Sequence, residues 1–489
     1  MDMAMTRKRK IPNIYVIGAA ASLISLSGYC ADVVFEPSVD AGVIFTDNVD
    51  REKDKIQSVI TTIGVGLRAN VDTAEGFLNL DYRLRQALYS DNSDRNELFN
   101  ELEFAAEKGL GYSGFFVDGN ASIENVALSL DDDAAADIFS GNTVENQRAE
   151  IGLGYRSNPL SQVDLQARVF TRVSRSGDRI GDYNGYGGAV SFANGQSVKD
   201  VFWQIDASYD YKKGREDEVG DTRYTALSET IGLQTISGFS PLLRLNYENL
   251  EGSSDLNSRK TVSWGPGIRY FWHKRSYAEL SYNFSEDDVN PDFWAGAVNF
   301  NPTPRTRLYL EYGKRFFGDA YEFLFSHRNR RVTNTISYTE EPVSFDRTNF
   351  TIGDKPEDIV LVRLLDWTSE LNLRRSKYSL SIFGRQEEAL TVFSENQEER
   401  SYGTRLRGEH NLTRRFKIDG FVEYSKYDFD RINGSNQKDD YYLLGVGGSY
   451  QHYKYVTSSF GYRHNTRRST FAGSEYDENR LYYDLQVRF

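Results

Sequence analysis

The chain has 489 residues, a formal net charge of -13 and a mean hydropathy of -0.57, and this acidic balance argues against nucleic-acid binding, which usually needs a basic face. Its single cysteine, Cys30, excludes an intrachain disulfide and a cysteine metal cluster. Aromatic residues make up 14% of the chain and Met is rare, a composition that suits the aromatic belts of a membrane β-barrel better than a helix-rich enzyme.

The first predicted element is an export signal over residues 1–31. Residues 7–10 (RKRK) form a basic segment, and residues 14–26 form a mainly apolar stretch that is too short to span a bilayer comfortably. Cleavage is expected near Cys30 and Ala31. The sequence therefore predicts a secretory signal peptide at the start of the chain.

Cys30 also leaves a lipoprotein open as an alternative, with lipid attached to its thiol. The bulky Tyr29 before it does not suit that motif. No later stretch of 18 apolar residues exists, so we expect no membrane-spanning helix. The remaining chain, residues 32–489, is predicted to be one outer-membrane β-barrel domain.

Apolar and polar residues alternate with period two through most of that domain. The pattern is regular in residues 163–173, 278–284, 305–315, 416–424 and 481–489. Each segment has about ten residues, the length that a tilted strand needs to cross the hydrocarbon of a membrane. A soluble β-sandwich could show the same alternation. The connections between the segments therefore decide between a sandwich and a membrane barrel.

The connections alternate between short turns and longer, often acidic loops. This asymmetry is typical of outer-membrane barrels, and a sandwich has no reason for it. A tight turn near Gly318 and Asp319 brings the long-loop side to about twelve hairpins. We predict an all-β fold, a closed antiparallel transmembrane β-barrel of about 24 strands, or about 20 to 22 if the weak segments Tyr186–Phe192 and Trp294–Phe300 merge with their neighbours.

The two ends of the barrel domain carry further signals. In the last strand, Tyr483, Leu485, Val487 and Phe489 share one face, and the terminal aromatic residue resembles the signal that the barrel assembly machinery recognises. This strand is expected to close the barrel by pairing with the first, near residues 39–45. Since the first connection is long, both termini are expected in the periplasm. Aromatic belts are expected to include Tyr270, Phe271 and Trp272.

The candidate selectivity residues lie on one polar face of a central strand. They are Arg305, Arg307 and Arg315, with Glu311 and Tyr309 beside them. Rings of Arg in a pore favour anions. The alternative is that Glu311 and other acids pair with these arginines and give them a structural role.

Other motifs carry little chemistry. None of the five His is spaced for metal binding, and no GxSxG motif occurs, so we expect no enzyme, no metal and no cofactor. The glycines of residues 445–448 lack a complete dinucleotide motif. Asp131–Asp133 and Asp137 predict a solvated acidic loop, with binding of Ca²⁺ or bridging to lipopolysaccharide as alternatives.

Several short stretches resemble a known family. Residues 35–39 (FEPSV) and 45–48 (FTDN) are similar to the start of β-barrel porins found in exopolysaccharide loci. The stretches 312–319 (YGKRFFGD), 326–328 (SHR) and 336–340 (ISYTE) resemble a subfamily, the PEP-CTERM system-associated outer-membrane proteins. This resemblance implies an outer-membrane barrel encoded beside exosortase and exopolysaccharide genes, with no catalytic residues.

The function expected from these features is a channel that helps move an exopolysaccharide, or another secreted polymer, to the cell surface. A diffusion porin for small solutes, and a structural or receptor barrel without a transport role, remain as alternatives. The expected partners are outer-membrane lipid, lipopolysaccharide, the barrel assembly machinery and periplasmic polysaccharide export components, but no nucleic acid.

Overall fold

The computed structural model describes residues 32–489, except 159, 199, 216–219, 234–237, 253–257, 274–275, 287–289, 352–358, 391–395 and 432–435. The predicted signal peptide, residues 1–31, lies outside the described residues. Among the described residues, no helix is long and apolar enough to cross a membrane.

The described chain forms one antiparallel sheet of 24 strands that closes into a ring. Each strand pairs with its neighbours in chain order. The strands are β1 Asp32–Thr46, β2 Ser58–Thr73, β3 Gly76–Tyr89, β4 Glu97–Gly109, β5 Phe115–Ala127, β6 Thr143–Arg156, β7 Val163–Ser176, β8 Tyr183–Asn194, β9 Val201–Gly214, β10 Thr222–Leu233, β11 Gly238–Glu251, β12 Arg259–His273, β13 Ser276–Ser285, β14 Phe293–Thr303, β15 Thr306–Arg315, β16 Gly318–Arg328, β17 Val332–Ser344, β18 Ile359–Asn372, β19 Ser376–Ala389, β20 Asn396–Asn411, β21 Phe416–Arg431, β22 Gln437–Tyr453, β23 Val456–Ser469 and β24 Tyr476–Arg488.

The first and last strands close the ring, as the sequence predicts. Val39 lies opposite Val487, and Phe45 lies opposite Leu481. Beyond the last strand, the backbone N–H of Phe489 donates to the carbonyl of Pro37 at 2.9 Å. Closure leaves no strand edge without hydrogen-bond partners, which is the condition for a sheet to exist inside a membrane.

The connections also follow the predicted alternation. Long loops and the tight hairpin at residues 316–317 lie at one end of the ring, here called the long-loop end. The other end, the short-turn end, carries the short turns. The two weak segments are separate strands, β8 and β14, so the count of 24 is confirmed and the merged alternative is not adopted.

The two faces of the ring differ in chemistry. On β24, Leu481 and Tyr483 point outward and are 55% and 50% exposed, whereas the inward Glu478 and Arg480 are buried. Rows of exposed apolar side chains on the outer face recur around the ring. A continuous apolar band of this kind is unfavourable in water and stable against lipid. The chain is therefore a membrane-spanning β-barrel of the outer-membrane type.

One predicted belt residue faces the other way. Tyr270 and Trp272 are exposed on the outer face, but Phe271 between them is buried inside the ring, against Phe202 and Leu242. Consecutive residues of a strand must point to opposite faces, so the three could not all belong to one belt. The prediction for Phe271 was wrong for this reason.

Candidate functional site: the barrel lumen

Two ion pairs join strands that are four places apart in the ring. Arg244 on β11 donates to Glu311 on β15 at 2.8 Å. Arg315 on β15 donates to Glu248 on β11, also at 2.8 Å. Both pairs lie inside the ring, because these residues occupy the inward rows of their strands.

These contacts show that the ring is bent between β11 and β15. In a circular ring of 24 strands, spaced about 4.8 Å apart and tilted by about 40°, strands four places apart would lie roughly 24 Å from each other. A paired arginine and glutamate bridge at most about 15 Å between their Cα atoms. The wall must therefore fold sharply at β12–β14, here called the corner.

The side chains at the corner suit this bend. Many inward residues of β12–β14 are small, and include Ser263, Gly265, Gly267, Ser281, Ala295 and Ala297. The outward residues are large, and Trp264 packs on Phe284 while Tyr282 packs on Trp294. Small groups on the concave side and large groups on the convex side let the sheet turn without leaving voids.

A break in strand pairing marks the same place. Gly265 and Pro266 of β12 have no partner in the register with β13, which resumes at Gly267 opposite Ser281. Proline cannot donate to the ladder, and glycine allows close backbone approach, so both occur where a strand kinks. The tripeptide at residues 265–267 is a sequence signal for the corner that alternation alone misses.

The corner brings together three of the five predicted selectivity residues. The hydroxyl of Tyr309 donates to Glu311, which also accepts from Arg244. Besides Glu248, Arg315 donates to the hydroxyl of Tyr224 and to the carbonyl of Glu340, both at 3.0 Å. Tyr309 and Glu311 thus belong to one hydrogen-bonded group across the lumen, and Arg315 belongs to a second.

The other two predicted residues lie elsewhere. Arg305 is in the turn between β14 and β15, and Arg307 is near the start of β15, so both are exposed at the short-turn end. Arg307 and Arg315 are separated by roughly 27 Å along the strand. The three arginines therefore do not form a single ring, although they share a polar face.

The sequence analysis did not identify the residues that contact Tyr309, Glu311 and Arg315. Arg244 and Glu248 lie on the inward row of β11, and the buried Glu279 of β13 accepts from Arg244 at 3.3 Å and from Arg269 at 2.6 Å. The guanidinium carbon of Arg269 lies 4.2 Å from the ring centres of both Phe202 and Tyr277. Alternation places such residues on polar faces, but only ring closure shows which faces meet.

Beside the corner, the lumen contains a cavity of about 720 Å³ whose lining mixes apolar, hydroxyl and charged side chains. It is lined mainly by inward residues of strands on both walls, between β5 and β17. Its charges nearly balance, with Arg156, Arg168, Arg244, Lys314 and Arg315 against Asp206, Glu248, Glu311, Glu322, Glu340 and Glu341. Arg168 is itself paired with Asp118 and Glu150. The cavity therefore carries no strong excess of either sign.

A loop from the long-loop end lies inside the opposite part of the ring. This inserted loop (residues 128–142) contains a one-turn helix, α1 (Leu130–Asp133). Backbone carbonyls of α1 accept hydrogen bonds from the inward side chains of Gln437 and Arg467. The hydroxyl of Tyr441, also inward, accepts from the backbone N–H of Ala134 at 3.1 Å. The loop is therefore bound to β22 and β23 from inside.

Charges hold the inserted loop on the side of β24. Arg51, from the β1–β2 loop, pairs with Asp133 at 3.1 Å, Asp137 at 3.3 Å and Glu478 at 3.0 Å. Arg480 of β24 pairs with Asp137 at 2.8 Å. The side chain of Arg51 is only 4% exposed, so these charges satisfy one another almost without water.

The prediction of a solvated acidic loop was therefore wrong. Asp131 and Asp133 are buried, and Asp133 also accepts from the hydroxyl of Tyr476 at 2.9 Å. Their charges are matched by lumen-facing basic and hydroxyl groups that lie far away in sequence. Within the described residues, no group of three His, Cys, Asp or Glu side chains is arranged to hold a metal ion.

Apolar contacts add to the attachment of the inserted loop. Ile138 and Phe139 pack on a buried cluster inside the ring, formed by Ile44, Val49, Ile60, Ala87 and Phe99. The hydroxyl of Tyr89 donates to the carbonyl of Ile138 at 3.2 Å. The loop thus covers the inner faces of β1–β4 as well as those of β22–β24.

A second loop meets the inserted loop inside the ring. It is called here the cross loop (residues 345–351). The carbonyl of Phe350 accepts from the N–H of Leu130 at 2.8 Å, and Arg347 donates to the carbonyl of Leu128 at 2.9 Å and to Asp178 at 2.6 Å. The two loops together narrow the lumen at the long-loop end.

Asp137 and Asp346 make the loop contacts sensitive to acid. Burial raises the pKa of Asp137, but the charges of Arg480 and Arg51 outweigh it and hold the pKa well below 3.8. The pKa of Asp346 in the cross loop is likewise lowered, since the charge of Arg148 and the backbone N–H of Thr348 outweigh burial. Because the pKa is lowered in the folded state, these contacts stabilise the folded loops at pH values above the ordinary pKa of an aspartate. This stabilisation is lost as the pH falls toward the lowered pKa.

We therefore predict that acid opens the lumen. Single-channel conductance in planar bilayers, corrected for the bulk conductivity of the buffer, should stay constant from about pH 7 to pH 5 and rise below about pH 4. A rise between pH 7 and 5 with no further change below pH 4 would contradict the assignment to these carboxylates.

The comparisons with known proteins concern the C-terminal part and the barrel as a whole. The family described as "Putative beta-barrel porin 2" matches residues 399–489, which correspond to β20–β24. No curated protein sequence matches the chain significantly.

Solved outer-membrane barrels resemble the chain at low identity. The FrpB iron transporter from Neisseria meningitidis is 9% identical, with 93% of this chain and 82% of that chain covered and a TM-score of 0.47. OccK2 (OpdF) from Pseudomonas aeruginosa is 10% identical, with 94% and 98% covered and a TM-score of 0.37. A BenF-like porin from Pseudomonas fluorescens Pf-5 is 9% identical, with 94% and 100% covered and a TM-score of 0.39.

Proposed function

We propose that the chain is an outer-membrane channel that assists the export of an exopolysaccharide, or of another secreted polymer, to the cell surface. The observation that carries this proposal is the lining of the lumen cavity. Between its balanced charges, Ser191, Ser208, Ser228 and Asn246 line the wall with hydroxyl and amide groups. A lining that carries hydrogen-bonding groups and little net charge suits a chain of sugar hydroxyls.

The genetic setting and partners form part of the same proposal. The resemblance to PEP-CTERM system-associated proteins supports an association with exosortase and exopolysaccharide genes, and with periplasmic export components. We also propose that the assembly machinery recognises the outward Tyr483, Leu485 and Val487 together with Phe489, and that the termini lie in the periplasm. The long loops would then face the outside, near lipopolysaccharide.

This orientation has a direct test. A cysteine that replaces Ser474, in the loop before β24, should react with a membrane-impermeant maleimide on intact cells. A cysteine that replaces Arg330, in the turn after β16, should react only after the outer membrane is permeabilised. The reverse pattern would place the long loops in the periplasm.

Deleting the gene tests the export function. The surface polysaccharide should fall strongly and return when the wild-type gene is supplied on a plasmid. Normal amount and composition in the deletion strain would contradict export, even if the purified protein conducts ions.

A diffusion porin for small solutes is the second candidate, and it is favoured by the inserted loop, which narrows the lumen. Current recordings in planar bilayers distinguish an export channel from a diffusion porin. In an export channel, neutral oligosaccharides added at the short-turn end should block the current transiently. A conducting barrel without such blocks supports the porin, and a silent barrel supports a structural or receptor role.

Reversing the charges of Arg305 and Arg307 tests whether they determine the ion selectivity of the channel. Within the described residues neither forms an ion pair, and Arg307 lies on the inward row, so both should attract anions at the short-turn end. The double variant Arg305→Glu with Arg307→Glu should shift the reversal potential in a KCl gradient toward cation preference.

A control variant separates this effect from net charge. Arg223→Glu with Lys260→Glu changes the charge equally on outward rows, and it should leave the reversal potential unchanged. An equal shift in both variants, or none in either, would leave Arg305 and Arg307 without a role in selectivity.

A further inference from the structure

An open groove of about 700 Å³ lies on the outer face of the barrel at the short-turn end. Its sides are Phe416 of β21, Tyr450 of β22 and Phe460 of β23. The rings of Phe416 and Phe460 are nearly parallel, with an interplanar angle of 19° and 6.4 Å between their centres. Since these side chains occupy outward rows, the groove opens toward lipid.

Gly448 lies beneath the two phenylalanine rings of this groove. A Cβ atom at this position would lie 3.0 Å from Cζ of Phe460 and 3.3 Å from Cε2 of Phe416. The register explains this proximity, because Gly448 lies directly opposite Phe460. The rings of Phe416 and Phe460 therefore lie over a position at which the chain has no side chain.

One end of the groove is formed by two adjacent arginines in the turn between β21 and its predecessor β20. The hydroxyl oxygen of Thr413 accepts from the backbone N–H groups of Arg415 at 3.1 Å and Phe416 at 2.9 Å. The carbonyl of Arg415 accepts from the N–H of Gln451 at 2.8 Å. The turn is thus held rigidly while both guanidinium groups stay exposed.

These arginines differ from the paired arginines of the lumen. Arg244, Arg315 and Arg480 are all paired with carboxylates. In the part of the chain that the structure describes, neither Arg414 nor Arg415 forms an ion pair. Two cations without counter-ions beside an apolar groove match an anionic, amphipathic ligand.

We propose that this groove binds one anionic glycerophospholipid of the surrounding leaflet. Its phosphate lies between Arg414 and Arg415, and an acyl chain lies along Phe416, Tyr450 and Phe460. A guanidinium group holds a phosphate through paired hydrogen bonds, whereas a zwitterionic headgroup offers less net charge. The inference does not depend on the cargo of the channel.

Lipid titration of the purified, folded barrel in neutral detergent tests this site. Native mass spectrometry with phosphatidylglycerol and phosphatidylcholine should show tighter binding of phosphatidylglycerol. In the variant Arg414→Gln with Arg415→Gln, that binding should weaken roughly thirty-fold, because each arginine contributes on the order of a factor of five. Phe460→Ala should weaken the binding of both lipids, since it removes one side of the groove.

A charge-matched control makes the result specific. Arg330→Gln with Arg331→Gln removes the same charge from another short turn and should leave the tight binding intact. Equal loss in both double variants would reduce the effect to general electrostatics and overturn the site. Tighter binding of lipid A than of phosphatidylglycerol, or equal competition by inorganic phosphate, would also overturn it. Heat-modifiable migration in gels shows that each variant is folded.

Discussion

Replacing residues 130–140 with a two-residue glycine–serine turn is expected to raise the single-channel conductance roughly two-fold, because the inserted loop covers the inner faces of β1–β4 and β22–β24. The ends of the loop are already adjacent, since the N–H of Leu128 donates to the carbonyl of Asn142 at 2.9 Å. The deletion should therefore leave the strand pairing of β5 and β6 intact. Planar-bilayer recordings measure the effect.

A point variant reaches the same result by a different route. Arg51→Ala leaves Asp133, Asp137 and Glu478 close together with one cation fewer, and removing one partner of a buried ion pair costs about 3–5 kcal/mol. Arg51 also has a φ of 57°, a conformation that side chains other than glycine rarely adopt, so its contacts maintain a strained backbone. We expect larger current fluctuations and a raised mean conductance.

Two matched controls test whether the change in conductance is specific to the inserted loop and to Arg51. Lys55→Ala removes the more exposed pair with Asp47 and should change the conductance little. Shortening the exposed loop at residues 471–475 removes chain from the same end without touching α1. If the deletion of residues 130–140 leaves the conductance at the wild-type value, the inserted loop does not limit the channel.

Gly265→Ala should destabilise the barrel by at least about 3 kcal/mol. A Cβ atom at Gly265 would lie 1.9 Å from the carbonyl oxygen of Tyr282 and 2.8 Å from Cα of Asn283. Both are backbone atoms of β13, so relief would require moving that strand and opening the corner. Urea unfolding of the barrel in lipid vesicles, followed by tryptophan fluorescence, gives the midpoint.

Gly313→Ala is the matched control for the corner. Gly313 also points into the lumen, on the facing wall, but its Cβ atom would meet only the Cβ of Ala295 at 3.9 Å. The free energy of unfolding of this variant should lie within about 0.5 kcal/mol of the wild-type value. Equal stability of the two alanine variants would show that β12 and β13 do not approach as closely as the structure has them.

The corner also explains why selectivity cannot be assigned from one strand. Arg315 and Glu311 share a polar face with Arg307, and the sequence treats them alike. In the ring, the first two meet Glu248 and Arg244 across the lumen, while Arg307 stays exposed at the short-turn end. Paired charges contribute little net field, so only the exposed arginines remain as candidates for anion preference.

The sequence by itself determined the type of fold and its ends. Period-two alternation, short turns opposite long loops, and the pairing of the last strand with the first require only local chemistry and the rule that no strand edge stays open in lipid. The same information predicted 24 strands, even where β8 and β14 are weakly patterned.

Only the tertiary structure decided what the inside of the barrel contains. Alternation assigns each side chain to a face, but it does not say which inward residues meet across the lumen. Asp133 and Glu478 are 345 positions apart, and they come together around Arg51 because the ring closes and a loop folds into it. The contacts that bend the wall and narrow the lumen are long-range, and they exist only after closure.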